Sequence, residues 1–351
     1  MKTVNYKYNR TIRIWLLVGL TMLVGQVVLG GITRLTGSGL SITSWDIITG
    51  VIPPLNNQDW IAAFDAYKET PQFHKINSTF NLKDFKFIYF WEYFHRLWVR
   101  ALGFIFLIPF VVFVFKKKID FYLIKRLGLV VLLTVLTASA GWIMVQSGLI
   151  NRPWVNAYKL TIHFMLAILV IWAMVKTVAD VYSYGSLTNL GSKTIIPITI
   201  GIAFIQLIFA GLMSGMRAGL YYPSWPDMNG EFIPSVLLIG DHWNWDNMIN
   251  YDSYLFAPAF VQFNHRILAY LLLVITVIMF VKLKNQVNLL SKKWLEITQV
   301  LLLLQVVLGV ITVLKVKGQI PLFYGVGHQL IGLLYFMSLL FLSYSVRNKS
   351  L

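Results

Sequence analysis

Cysteine is absent from all 351 residues. No disulfide can staple the outer loops, and neither thiolate-ligated haem nor an iron–sulfur cluster can be built. Charge is scarce too: 13% of residues are charged, and the 14 acids face 30 bases. A water-soluble domain carries about a quarter of its residues charged, so that class is excluded. Apolar residues fill the gap, at 57% of the chain with a mean hydropathy of +0.68. The composition is that of an all-α polytopic membrane protein.

Eight apolar runs have the roughly 20 residues needed to cross about 30 Å of hydrocarbon. They lie near 12–32, 94–115, 127–147, 159–179, 194–214, 262–281, 294–314 and 325–345. Lys and Arg set their orientation. The side holding the N-terminus carries 17 bases and only Asp120, Asp180 and Glu296 as acids. The opposite side is nearly balanced. Both termini are therefore expected in the cytoplasm, with the long loops outside. The first run is too long for a signal peptide and lacks a small-residue cleavage site, so it is expected to stay as an anchor. No Arg- and Ser-rich transit segment precedes it, which points to a bacterial plasma (inner) membrane. The bases are spread over short loops, which excludes a nucleic-acid partner and leaves the lipid bilayer as their counterpart.

The two halves repeat each other. Gly39-Leu40-Ser41-Ile42-Thr43-Ser44-Trp45 matches Gly219-Leu220-Tyr221-Tyr222-Pro223-Ser224-Trp225, 180 positions on. The same offset relates Gly31 to Gly211, Gly50 to Gly230 and Pro54 to Pro234. Four spans followed by their copy give parallel repeats. The expected architecture is two four-helix bundles, 1–185 with an outer loop at 33–90 and 186–351 with an outer loop at 215–261.

Four histidines carry the chemistry. His95, His163, His265 and His328 stand near the starts of spans two, four, six and eight, all near the outer face. His95 repeats as His265 and His163 as His328. Imidazole is a costly guest in hydrocarbon unless something binds it. A histidine on each of two facing helices suits bis-histidine haem ligation. A lone membrane histidine is more often an interhelical hydrogen-bonder, but four at one depth in duplicated pairs favour ligation. Gly103, Gly325, Gly327 and Gly332 would let a macrocycle approach, or serve ordinary helix packing. His74 and His242 fall in loops at unmatched positions and read as ordinary loop residues.

Glu92 stands three residues before His95, on the same helical face. An acid there suits proton transfer; alternatively it completes a helix start or pairs with Arg96. Its repeat partner is Gln262, which can hydrogen-bond but cannot exchange a proton. The halves therefore share a ligand frame and differ in chemistry, with the first half reacting and the second holding a helper haem. Arg96 and Arg266 follow their histidines and can reach haem propionates, as can Arg100, Arg34 and Arg217; interfacial snorkelling is the alternative for each.

The motifs Glu92-Tyr93-Phe94-His95-Arg96, Phe263-Asn264-His265-Arg266 and Gly327-His328-Gln329 make the chain resemble the haem A synthase family over essentially its whole length. Other members carry a cysteine pair in the first outer loop; this chain resembles the cysteine-less branch of alphaproteobacteria and mitochondria. The resemblance implies an oxidoreductase that converts the C8 methyl of haem O to a formyl group by two successive hydroxylations, giving haem A for cytochrome oxidase. It implies haem b as cofactor on His265 and His328, the substrate haem O between His95 and His163, and Glu92 as catalytic carboxylate. Contact with the haem O synthase and an electron acceptor that the sequence does not name are further expectations. If both histidines hold the substrate iron, no position remains for O2. Stepwise electron removal, with water supplying oxygen and Glu92 taking a proton, fits such a site better. The rivals are a di-haem b-type electron-transfer cytochrome, disfavoured by ligands at one face only, and a transporter. The latter would need more mid-span polar groups than Gln26, Gln206 and Gln305.

Overall fold

The computed structural model describes residues 7–43, 52–150, 152–182 and 194–346. Ser44, Trp45 and Gly50 of the repeat, the boundary between 185 and 186, Lys193, Lys2 of the N-terminal segment, and Arg347 and Lys349 lie outside them.

Among the described residues every element is helical apart from one isolated bridge between Met228 and Glu231. Eight helices are long and apolar enough to span a membrane: α1 (Arg10–Leu35), α4 (Leu82–Phe115), α5 (Phe121–Gln146), α6 (Ala157–Val181), α7 (Ile195–Gly215), α9 (Phe256–Leu283), α10 (Leu289–Leu314) and α11 (Leu322–Ser345). Three short helices lie between them: α2 (Asn57–Lys68), α3 (Pro71–Lys75) and α8 (Trp245–Ile249). The chain is a multi-pass membrane protein. Continuous apolar runs specify these helices because in lipid each backbone group must find its partner within its own segment. Side-chain oxygens start several of them: Asn9, Asn81, Asp120, Asn156 and Asn288 each accept from a first-turn N–H.

Two helices begin earlier than hydropathy indicates. α4 starts at Leu82 and α9 at Phe256, so the ends of the expected loops 33–90 and 215–261 are helical. Lys83, Asp84 and Lys86 lower the local hydropathy, but Asn81 and Asp84 form a reciprocal capping box. Phe85 and Ile88 then give the extension an apolar face, on which Phe64 and Tyr67 of α2 pack. His95 therefore stands well inside α4 rather than in its first turns. The second cap is built from short 3-10 turns and α8, around Tyr222, Met228, Leu237, Phe256 and Ala259.

Packing pairs come in matched couples. α1 packs on α4 as α7 packs on α9, and α5 packs on α6 as α10 packs on α11. α1, α6, α7 and α11 make the chief helix–helix contacts between the halves. α1 and α7 are also followed, at equivalent positions, by a left-handed residue: Gly37 at φ 70° and Arg217 at φ 52°. A glycine adopts that conformation without strain, whereas an arginine there costs roughly 1 kcal/mol.

Gly215 is required by close approach. A methyl group there would lie 2.6 Å from the Cα of Ala157 on α6, backbone that cannot swing aside. Gly215→Ala is expected to force α6 and α7 apart at about 1–3 kcal/mol. Thermal unfolding of the detergent-purified variant should show a lowered midpoint; an unshifted midpoint would mean that the two helices separate without cost.

Candidate functional site

In the second half, His265 on α9 and His328 on α11 meet with ring centroids 6.3 Å apart and planes at 67°. α9 packs chiefly on α7, and α11 chiefly on α10, so the rings approach from different helix pairs. The Nδ1 of His328 donates to the Gln305 carbonyl at 3.0 Å. A carbonyl only accepts, so the hydrogen sits on Nδ1 and Nε2 is left as an acceptor, which the Gln305 amide meets at 3.2 Å. The Nδ1 of His265 is buried with no hydrogen-bond partner.

These features fit a porphyrin-held iron. A metal between two imidazoles sets their centres roughly 6 Å apart, from bonds of about 2 Å plus the ring radii. Among the described residues no three His, Asp or Glu side chains gather as ligands for a bare metal ion. The histidines come in twos, the number of axial ligands that a haem takes.

The first half repeats the frame. His95 stands on α4 and His163 on α6. The Nδ1 of His163 donates to the Thr137 carbonyl at 2.8 Å, as that of His328 does to Gln305. Gly141 and Gly309 let α5 and α10 press against these rings: a Cβ would meet His163 Cε1 at 2.9 Å and His328 Cε1 at 2.8 Å. On the other histidine of each half, a glutamine amide takes over. The amide nitrogen of Gln26 lies 2.9 Å from His95 Nε2 and donates to the His95 carbonyl at 3.3 Å. Gln206 does the same for His265, at 3.4 and 3.0 Å. Gln305 adds an amide 3.2 Å from His328 Nε2, where the first half has Thr137. The glutamines are visible in the sequence only as mid-span polar residues. Their signal is the repeat itself, since Gln26 and Gln206 share the 180-residue offset.

Glu92 is 3% exposed and ties the first outer loop to α4. Its Oε2 accepts from the Ser41 N–H and hydroxyl at 2.7 Å each and from the Ile42 N–H at 2.9 Å. Its Oε1 pairs with Arg96. Arg96 also donates to the Ile42 carbonyl at 3.3 Å, and Arg266 donates to the equivalent Tyr222 carbonyl at 3.1 Å. Arg266 further holds the Ser224 and Asp227 carbonyls at 2.8 and 2.6 Å. Gln262, 1% exposed, reverses the polarity of Glu92: its amide donates to Tyr222 at 2.8 Å. Both arginines thus clamp the loops that follow α1 and α7, with Arg96 at the acid and Arg266 at a backbone turn.

The remaining candidates scatter. Arg100 lies one turn beyond Arg96 on α4. Arg34 donates to the Ser214 and Gly215 carbonyls at 2.6 and 3.2 Å, capping the C-terminus of α7, where a cation meets the negative end of the helix dipole. Arg217 lies 4.7 Å from the Trp154 ring centre, and burial pushes its guanidinium below the ordinary value. His74 stacks edge-on with Phe73, and His242 hydrogen-bonds the Val236 carbonyl; neither joins the four. Among the glycines, Gly332 admits Gln305 and Gly325 admits Leu35, whereas a Cβ at Gly103 would meet nothing.

The whole chain has close counterparts. Residues 13–340 match the family COX15-CtaA, described as cytochrome oxidase assembly protein. A Nitrosospira multiformis protein named heme A synthase is 36% identical over 98% of this chain and 96% of its own length. Proteins of the same name from Flavobacterium johnsoniae (37%, over 92% and 94%) and a Wolbachia of Brugia malayi (36%, over 96% and 98%) are similarly close. The family match over residues 13–340 and relatives of 36–37% identity over nearly the full length of both chains lead to one assignment: the chain belongs to the COX15-CtaA family of cytochrome oxidase assembly proteins.

Proposed function

We propose that the protein is a haem A synthase, an oxidoreductase of the membrane that converts haem O to haem A. The observation that carries this reading is one break in a matched frame. Both halves hold a histidine with a glutamine amide, a second histidine with a backbone carbonyl, and an outer loop with an arginine. Yet Glu92 stands where the second half has Gln262. Of these two, only the carboxylate can take a proton, so the chemistry belongs to the first half.

In this reading residues 1–185 form the substrate half and 186–351 the cofactor half, two parallel four-helix bundles. His265 and His328 hold haem b, which supplies a one-electron relay when bound. His95 and His163 receive haem O so that its methyl lies by Glu92. Arg96 positions Glu92, and the loop carrying Ser41 and Ile42 covers the acid. Glu92 accepts a proton released as the methyl is hydroxylated. The His265–His328 site lies in the outer halves of α9 and α11, with both termini in the cytoplasm and the membrane the bacterial inner one. Haem O reaches the first half through the bilayer or by contact with the haem O synthase.

Extraction of haem from the protein purified out of cells making haem O tests this. Haem A or haem O alongside haem b is the expected result, whereas haem b alone would favour a di-haem electron carrier.

A further inference from the structure

The second outer cap stands apart in charge. Between Arg217 and Arg266 there is no Lys or Arg, and Asp227, Glu231, Asp241, Asp246 and Asp252 all fall there. The whole chain is at +16, and the first cap mixes its acids with Lys68, Lys75, Lys83 and Lys86. Asp252 is paired with Arg152 at 3.1 Å. Glu231, Asp241 and Asp246 are exposed. Interleaved with them are large apolar side chains facing outward: Phe232 is 76% exposed, Leu238 70%, Trp243 58% and Trp245 81%.

This surface lies at the N-terminal end of the helix that carries His265. The Trp243 ring packs edge-on against Phe256 at 5.1 Å and Phe260 at 5.7 Å between centroids. Both phenylalanines lie in the first turns of α9, and His265 follows Phe260 on that helix. The patch therefore sits at the end of α9 nearest the proposed cofactor.

Exposed aromatic residues in a membrane protein suit either the lipid interface or a protein partner. Interfacial belts set Trp and Tyr among Lys and Arg that reach lipid phosphates, and this cap has no such base. Its acids are repelled by anionic headgroups. Protein interfaces are enriched in Trp, Tyr and Phe, and unbalanced acids steer a cationic partner. We propose that the face made by Phe232, Leu238, Asp241, Trp243, Trp245 and Asp246 docks a small, soluble, cationic redox protein that accepts electrons from the second half. The proposal rests on the reading of that half as a haem relay. With water as oxygen source, each hydroxylation of the methyl group forms a C–O bond, breaks a C–H bond and releases two protons and an electron pair. The pair leaves one electron at a time, reducing two ferric partners in turn to the ferrous state.

The test uses the full-length protein in nanodiscs and a strongly basic ferric c-type cytochrome as probe. Binding is expected to weaken about tenfold or more as salt rises through the range where the Debye length falls below about 10 Å. A succinylated, acidic form of the same cytochrome is expected to bind at least about tenfold more weakly. The Asp241→Asn/Asp246→Asn double variant should lose about tenfold in affinity and Trp245→Ala about fivefold, both with haem content unchanged. Salt-independent binding, or variants that bind as the parent does, would overturn the proposal. So would quenching of the Trp243 and Trp245 fluorescence by brominated lipid, which would give the face to the membrane. Haem content of the parent is measured separately, so a parent without haem b would defeat the relay reading while the binding result still judges the docking face.

Discussion

His265→Ala is expected to abolish the haem b spectrum of the purified protein. The variant removes one of the two rings that meet at 6.3 Å, and the surviving His328 remains held by Gln305 on the opposite helix pair. A single imidazole leaves the iron with one open axial position in an apolar bundle, so both affinity and the six-coordinate signature go. The pyridine haemochrome of the purified variant should show at least about a tenfold loss of haem b, the order expected for loss of a metal-site residue. His95→Ala is expected to keep haem b, because its ring belongs to the other half. Equal loss of haem b in the two variants would sink the division of labour between the halves.

Conversion of haem O should fall at least about 100-fold in Glu92→Gln, the range for loss of a positioned acid or base, while haem b stays bound. The structure adds a second consequence. Four donors address this buried carboxylate: Ser41 N–H, Ser41 Oγ, Ile42 N–H and Arg96. An amide has one oxygen to offer them, and its own N–H groups face donors. Each buried donor left unpaired costs about 1–3 kcal/mol, so the loop is expected to dock less firmly as well. Ser41→Ala separates the two effects. It removes one hydroxyl donor for about 1 kcal/mol and leaves the acid in place, and conversion is expected to stay within about threefold of the parent. If conversion in the two variants instead tracks their loss of stability, Glu92 is an anchor of the loop and not the catalytic acid.

Glutamine at position 262 shows why the substitution is tolerated in the second half. There the loop turns a carbonyl, that of Tyr222, toward the side chain, so a donor is needed rather than an acceptor. The residue type and the polarity of the loop it meets have changed together between the halves.

The start of α4 lies earlier than hydropathy indicates, and the reason is local. A capping box at Asn81 and an apolar face from Phe85 and Ile88 extend the helix through residues whose charge lowers the hydropathy average. Likewise the arginines beside His95 and His265 could be located from sequence, but their partners could not. Arg96 reaches Ile42 and Arg266 reaches Tyr222, contacts set by how each outer loop folds back on its helix.

Sequence by itself determined the membrane class, the eight spans, the repeat offset, the four histidines and the Glu92–Gln262 difference. Each of these is written in local composition or in residue spacing, which needs no knowledge of how helices pack. Tertiary structure alone decided that His265 and His328 stand ring to ring, and that Glu92 is enclosed by the loop at Ser41 and Ile42. It also put the Arg34 guanidinium on the carbonyls at the end of α7. These are distances between residues many positions apart, set by the packing of α1, α6, α7 and α11 at the centre of the molecule, and no pattern along the chain encodes them.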